Sequence, residues 1–148
     1  MSKTKVLIVE ARFYEDIAEE LARGAQAALK DAGASFKRIS VPGAFEIPAA
    51  IKMFADSAAG GEIHGYIALG CVVRGETSHY DYVCGESARK LQDLATDRGL
   101  PIGYGILTVE NRDQAWARAA VDRKNKGKDA ALACLRMIEI QRMEKKAF

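Results

Sequence analysis

The segment Lys5-Val-Leu-Ile-Val-Glu10 constrains this chain more than any other. It is an unbroken run of β-branched and aliphatic residues. Such a run reads as a strand covered on both faces, and strands of that kind belong to parallel sheets flanked by helices. The rest of the chain repeats the theme, with a change of period after each strand. Ile17, Leu21, Ala25, Ala28 and Leu29 recur at helical spacing, and Gly33 supplies a stop. Phe36 to Val41 predicts a second strand. Pro42-Gly43 breaks it before a helix in which Ile47, Ala50, Ile51 and Phe54 share a face, with Pro48 in the first turns, where it costs least. Gly65 to Val72 predicts a third strand, followed by the polar loop Arg74 to Ser78 and a helix carrying Val83, Leu91, Leu94 and Ala95, ended by Gly99. Ile102 to Leu107 predicts a fourth strand, and Asn111 caps a helix through Trp116 to about Asp122. Gly127 interrupts the pattern before a last helix with Leu132, Leu135, Ile138 and Ile140.

The order βαβαβαβ followed by helices, without linker or repeat, predicts one domain over residues 1–148. The fold class is α/β, a flavodoxin-like three-layer sandwich with a four-stranded parallel sheet covered by helices on both faces. Apolar residues make up 49% of the chain and charged residues 28%, as in ordinary globular proteins. Basic residues thicken only at Arg123-Lys-Asn-Lys-Gly-Lys128 and in the C-terminal tail, and the net charge is only +2, which argues against a nucleic-acid partner. Cys71, Cys84 and Cys134 are an odd number, show no C-x-x-C spacing and stand among apolar or small residues. They read as buried reduced thiols of a cytoplasmic protein. No stretch of 18 apolar residues or secretory leader occurs, so neither membrane insertion nor export is expected.

In a sheet of this kind ligands bind at the carboxyl ends of the strands, which directs attention to the loops Ala11–Tyr14, Val41–Glu46, Val73–His79 and Thr108–Asn111. Val41-Pro-Gly-Ala-Phe-Glu-Ile-Pro48 presents backbone N–H groups beside Phe45 and Glu46, donors and a carboxylate that suit a polyhydroxylated ligand; it is equally an ordinary turn and helix start. Val73-Arg-Gly-Glu-Thr-Ser-His-Tyr80 offers unpaired N–H groups at a helix N-terminus, a ready anion site. His79 stands at that terminus, where the helix dipole disfavours extra positive charge and an imidazole can take and return protons; a simple capping role is the competing reading. His64, in Glu62-Ile-His-Gly65, reads as a solvated loop residue. Phe13 and Tyr14 follow Arg12 at the end of the first strand, where an aromatic face can stack on a heterocycle or pack into the core. Gly103-Tyr-Gly105 lacks the third glycine and the position of a dinucleotide fingerprint. No P-loop or His and acid cluster at metal-ligand spacing is present.

Four segments, Val41–Pro48, Gly70–Val83, Gly105–Asn111 and Asn125-Lys-Gly127, resemble the lumazine synthases in sequence, order and spacing, and the similarity runs from about Lys5 to the end. The resemblance implies two small-molecule substrates, 5-amino-6-(D-ribitylamino)uracil and 3,4-dihydroxy-2-butanone 4-phosphate, joined into 6,7-dimethyl-8-ribityllumazine with loss of phosphate and water. It implies no cofactor, a site shared between neighbouring subunits of a homopentamer, and riboflavin synthase as a pathway partner. Phe13 would stack on the pyrimidine, with Tyr14 beside it. Ala44, Phe45 and Glu46, together with Cys71, Val72 and Val73, would hold the pyrimidine and its ribityl chain. Gly75, Glu76 and Thr77 would bind the phosphate through N–H groups, with Arg118 from the next subunit as a charged donor, while Tyr104 and Lys126 would also come from the neighbour. His79 would shuttle protons. Tyr14 stands where the family often has Asn, and Glu76 where many members have a small residue, so the Glu76 carboxylate is expected to point away from the phosphate. Shell-forming members often have a second glycine where Lys124 stands, and here only four residues precede the first strand; a free pentamer is therefore favoured over a shell of 60 subunits. A non-catalytic flavin or lumazine carrier on the same scaffold would keep Phe13 and the Val41–Glu46 loop but would not need His79 and Arg118 together. A flavodoxin-type electron carrier is disfavoured because Glu10-Ala-Arg-Phe-Tyr14 is not a Ser/Thr-rich phosphate loop.

Overall fold

All four expected strands form, and each runs a residue or two beyond its expected bounds: β1 (Lys5–Ala11), β2 (Ser35–Val41), β3 (Gly65–Val73) and β4 (Ile102–Val109). They pair in parallel in the order β2-β1-β3-β4, with Val6 opposite Phe36 and Val9 opposite Ala68. The helices are α1 (Glu15–Asp31), α2 (Ile47–Asp56), α3 (His79–Arg98), α4 (Arg112–Ala119) and α5 (Lys126–Glu144). The structure is a computed structural model and describes residues 3–147; Met1, Ser2 and Phe148, the outer ends of the single-domain expectation, lie outside them.

Because side chains alternate along a strand, β1 feeds two cores. Val6 and Ile8 pack with Ile67, Leu69 and Leu107 against Ile17, Leu21 and Leu29 of α1, Ala115 of α4 and Cys134 and Ile138 of α5. Leu7 and Val9 pack on the other side with Tyr66, Ala68 and Ile106 against Ile47 and Ile51 of α2 and Val83 and Leu91 of α3. The result is the flavodoxin-like three-layer sandwich, with α1, α4 and α5 on one face of the sheet and α2 and α3 on the other. No helix among the described residues is long and apolar enough to cross a membrane.

The last two helices differ from their expected form. α4 ends at Ala119 rather than near Asp122, and α5 begins at Lys126, so Gly127 lies within its first turn and does not interrupt it. The preceding Asn125 is left-handed at φ 49° and ψ 54°, a conformation that a short polar residue tolerates. Gly127 is required by close approach, since a Cβ there would lie 2.0 Å from the Leu21 carbonyl oxygen of α1. The buried face of α5 is built from Gly127, Ala130, Ala131, Cys134 and Ile138. Leu135 is half-buried, and Leu132 and Ile140 are exposed. Small residues win that face because α5 also lies directly on β4, where a Cβ at Gly103 would be 1.9 Å from the Ala130 carbonyl oxygen. Replacing Gly127 with alanine is expected to force α5 off α1 and to lower stability by about 1–3 kcal/mol. Chemical denaturation of the purified protein checks this, and an unchanged midpoint would show that the two helices can separate without loss.

Two further expectations are adjusted. Of the three free cysteines only Cys134 is fully buried, its thiol pushed up to about 12 by desolvation, whereas Cys71 and Cys84 are half-buried. His64 is not merely solvated: it is half-buried, and its Nδ1 accepts the Lys5 backbone N–H at 2.8 Å, tying the start of β1 to the approach to β3.

Candidate functional site

The chain leaves β1 for β2 on one side and returns past it to β3 on the other, so the crossovers diverge at the carboxyl ends of β1 and β3. A cleft of about 510 Å³ opens there. Three loops build its walls.

The β1–α1 turn supplies Ala11, Phe13 and Tyr14. Arg12 does not face the cleft with them as a free cation, because its guanidinium donates to Glu10, Glu15 and Glu19 at 2.6, 2.9 and 2.8 Å. Glu10 is only 3% exposed and also accepts from Arg38 on β2, at 2.6 and 3.1 Å. A buried carboxylate is tolerated when charged donors satisfy it, and here two arginines do so. Hydrogen bonding to Glu19 most, and then to Glu10 and Glu15, raises the Arg12 pKa above its ordinary value, and Arg12 lowers that of Glu19 in return. The network locks the turn from below. Phe13 projects from it 76% exposed, and Tyr14 meets it edge-on with ring centroids 4.9 Å apart.

The β2–α2 loop supplies Gly43, Ala44, Phe45 and Glu46. Ala44–Glu46 form a short 3₁₀ turn in which Glu46 N–H donates to the Gly43 carbonyl at 3.1 Å, while the N–H groups of Ala44 and Phe45 have no protein acceptor among the described residues. The Glu46 carboxylate folds back toward Gly43, whose added Cβ would lie 3.4 Å from Oε1. Donors and an acceptor thus sit side by side, an arrangement suited to hydroxyl groups. A separate groove of about 480 Å³ between α2 and α3 shares Phe45 but is otherwise lined by Pro48, Ala49, Leu94 and charges of both signs.

The end of β3 and the start of α3 supply Cys71, Val72, Val73 and His79. Desolvation pushes the Cys71 thiol up to about 11, so it meets the cleft as a neutral group. Between them, Arg74 is pinned: its N–H donates to the Val109 carbonyl at 2.9 Å and its guanidinium pairs with Glu110 at 3.0 Å and Asp81 at 3.3 Å. The exposed N–H groups of Gly75, Glu76 and Thr77 that follow have no protein acceptor among the described residues. His79 is the first residue of α3, and its own N–H donates to Thr77 Oγ1 at 3.4 Å. The N-cap is Ser78, which makes no side-chain capping bond, and His79 lines the cleft. Glu76 is exposed and makes no ion pair among the described residues.

Every residue expected to hold the pyrimidine or ribityl chain from this subunit lines this one cleft, together with His79. Tyr104, Arg118 and Lys126 do not join them. They line a different cleft, of about 440 Å³, along the free edge of β4. Arg118 there donates to the Gln114 carbonyl at 3.0 Å and has no carboxylate partner among the described residues; Lys126 faces Asp129 at 3.4 Å. Ala11, Gly43, Tyr82 and Val83 also line the first cleft. Tyr82 was findable in the sequence, because it lies one helical turn from His79. No group of three or more His, Cys, Asp or Glu with metal-binding geometry occurs among the described residues.

The family described as 6,7-dimethyl-8-ribityllumazine synthase matches residues 3–142. A protein of that name from Agrobacterium fabrum is 57% identical over 96% of this chain and 97% of its own. The protein named 6,7-dimethyl-8-ribityllumazine synthase 1 from Rhizobium meliloti is 54% identical, with 95% of each chain covered. A Bartonella tribocorum protein with the first name is likewise 54% identical over 95% of this chain and 91% of its own.

Proposed function

The chain belongs to the 6,7-dimethyl-8-ribityllumazine synthase family, an enzyme family of riboflavin biosynthesis, and from that premise we propose that its active site is completed by a second copy of the chain. The observation that carries this reading is the division of the cations. A phosphate at the N–H groups of Gly75 to Thr77 calls for a charged donor, and Arg74, the cation of that loop, is already engaged by Glu110 and Asp81. Arg118, with only a carbonyl partner, lies with Tyr104 and Lys126 in the other cleft. Docking the β4 edge of one copy against the cleft of the next would bring the two halves together.

In that arrangement Phe13 stacks on the pyrimidine of 5-amino-6-(D-ribitylamino)uracil, and the Ala44–Glu46 turn holds its ribityl hydroxyls. The phosphate of 3,4-dihydroxy-2-butanone 4-phosphate lies on Gly75, Glu76 and Thr77 and is paired by the neighbour's copy of Arg118. Imine formation, phosphate elimination and ring closure follow, with His79 moving protons. The amine and the ketone supply their own reactivity, so positioning carries much of the catalysis.

We further propose that the protein is a cytoplasmic transferase and a homopentamer rather than a 60-subunit shell. Light scattering on a sizing column, with lumazine absorbance and phosphate release assayed across the peaks, tests both parts. Five copies of the 16.1 kDa chain give about 80 kDa and sixty about 970 kDa. Activity in the smaller peak is expected. Lumazine binding without turnover would instead mark a carrier, and an active monomer would sink the shared site.

A further inference from the structure

Helix N-caps are ordinarily Ser, Thr, Asp or Asn, whose side-chain oxygen accepts an N–H that has no partner within the helix. α1 breaks that rule. Its N-cap is Tyr14, extended at φ −104° and ψ 94°, with no side-chain capping hydrogen bond. The Tyr14 side chain gives nothing to the helix start and is engaged elsewhere. The Tyr14 ring packs partly into the core on one side and meets Phe13 edge-on at 4.9 Å. The Arg112 guanidinium, from the first residue of α4, lies over the same ring at 5.3 Å from its centroid. Arg112 is itself held by Asp16 in the first turn of α1, donating to Oδ2 at 2.6 Å. Phe13, by contrast, is 76% exposed and has little packing of its own. A ring that must stop moving when a heterocycle stacks on it binds more tightly if it is already held.

We propose that Tyr14, Arg112 and Asp16 form a clamp that holds the Phe13 ring in the stacking orientation, which makes them positioning residues for the planar heterocycle and Tyr14 the fixed wall of its pocket. The clamp rests on the reading of this cleft as the pyrimidine site. Asp16 neutralises Arg112 within the clamp, so the cation serves the aromatic wall and leaves the phosphate to other groups. The clamp also links the starts of α1 and α4 at the site end of the sheet.

Steady-state kinetics on the assembled enzyme test the proposal. Arg112→Gln is expected to raise KM for the ribitylamino-pyrimidine about three- to fivefold, the size of a lost cation–π contact, with little change in KM for the ketose phosphate. Arg112→Lys, which keeps the cation, recovers part of the loss, and Tyr14→Phe, which keeps the ring, costs less than Tyr14→Leu. The double variant Tyr14→Leu/Arg112→Gln is expected to be no worse than Tyr14→Leu alone, because both changes break one contact. Additive losses, or an equal rise in both Michaelis constants, overturn the clamp. Arg112 is exposed, so its variants decide the matter even if Tyr14→Leu does not fold. Phe13→Ala separates the two levels of argument. If it leaves the pyrimidine KM unchanged, the assignment of the cleft has failed; if it raises that KM while Arg112→Gln does not, only the clamp has.

Discussion

Arg118→Ala is expected to raise the Michaelis constant for the ketose phosphate about 10- to 150-fold while leaving that for the pyrimidine nearly unchanged, as loss of a charged hydrogen bond of roughly 1.5–3 kcal/mol implies. The asymmetry follows from what the guanidinium can reach. Within its own chain Arg118 has a single backbone partner, the Gln114 carbonyl, and lies half-buried in the cleft along β4, far in sequence and separate in space from the cleft that holds Phe13 and His79. That one bond leaves the remaining donors of the fork without a carboxylate partner among the described residues, and on the proposed assembly they meet the phosphate held by another copy. Arg118→Lys keeps the charge but loses the planar pair of donors, and an intermediate rise is expected. If both Michaelis constants rise together, Arg118 acts on the assembly as a whole and not on the phosphate.

The parallel sheet was legible because burial on both faces leaves a strong mark. Lys5 to Glu10 and Gly65 to Val72 are apolar almost throughout, and both become strands hydrogen-bonded on two sides. What misled was side-chain size. Leu132 and Ile140 look like core residues of α5, yet the helix lies so close to Leu21 of α1 and to Gly103 of β4 that the contact face takes Gly127, Ala130 and Ala131 instead. A periodicity argument weighs large apolar residues most and therefore turns such a helix toward solvent incorrectly. Glu10 shows the reverse problem. It ends a strand that reads as fully covered, and nothing local announces that Arg38, 28 residues away, will pair with it.

The site was legible to the extent that its residues sit in loops at strand ends. Phe13, Glu46 and His79 come from three such loops, and the sheet topology alone brings them to one cleft. Spacing could not show that Tyr104, Arg118 and Lys126 would fall elsewhere, because a free sheet edge is a property of the folded order, with β4 outermost. Nor could it show that Arg74, the arginine within the anion loop, would be taken by Glu110 and Asp81. Those two facts together support the proposal that a second copy completes the site.

His79→Ala is expected to lower turnover by about 100-fold or less, near or below the low end of what a general acid–base usually contributes, because the amine and ketone react without help once they are aligned. The phosphate KM is expected to hold, since the Gly75–Thr77 loop is shaped by the Arg74 anchors and its N–H groups do not depend on the imidazole. Helix integrity is expected to hold as well: the bond at the head of α3 runs from the His79 backbone N–H to Thr77 Oγ1, and both atoms survive the substitution. A loss of turnover in the variant would therefore report chemistry. Imidazole added to the assay supplies the missing proton carrier where the side chain is removed from the cleft wall, and a partial return of turnover is expected. Unchanged turnover would reduce His79 to a wall of the cleft. A loss that imidazole does not touch, accompanied by a higher phosphate KM, would mean that the ring supports the anion loop and that the protons move by another route.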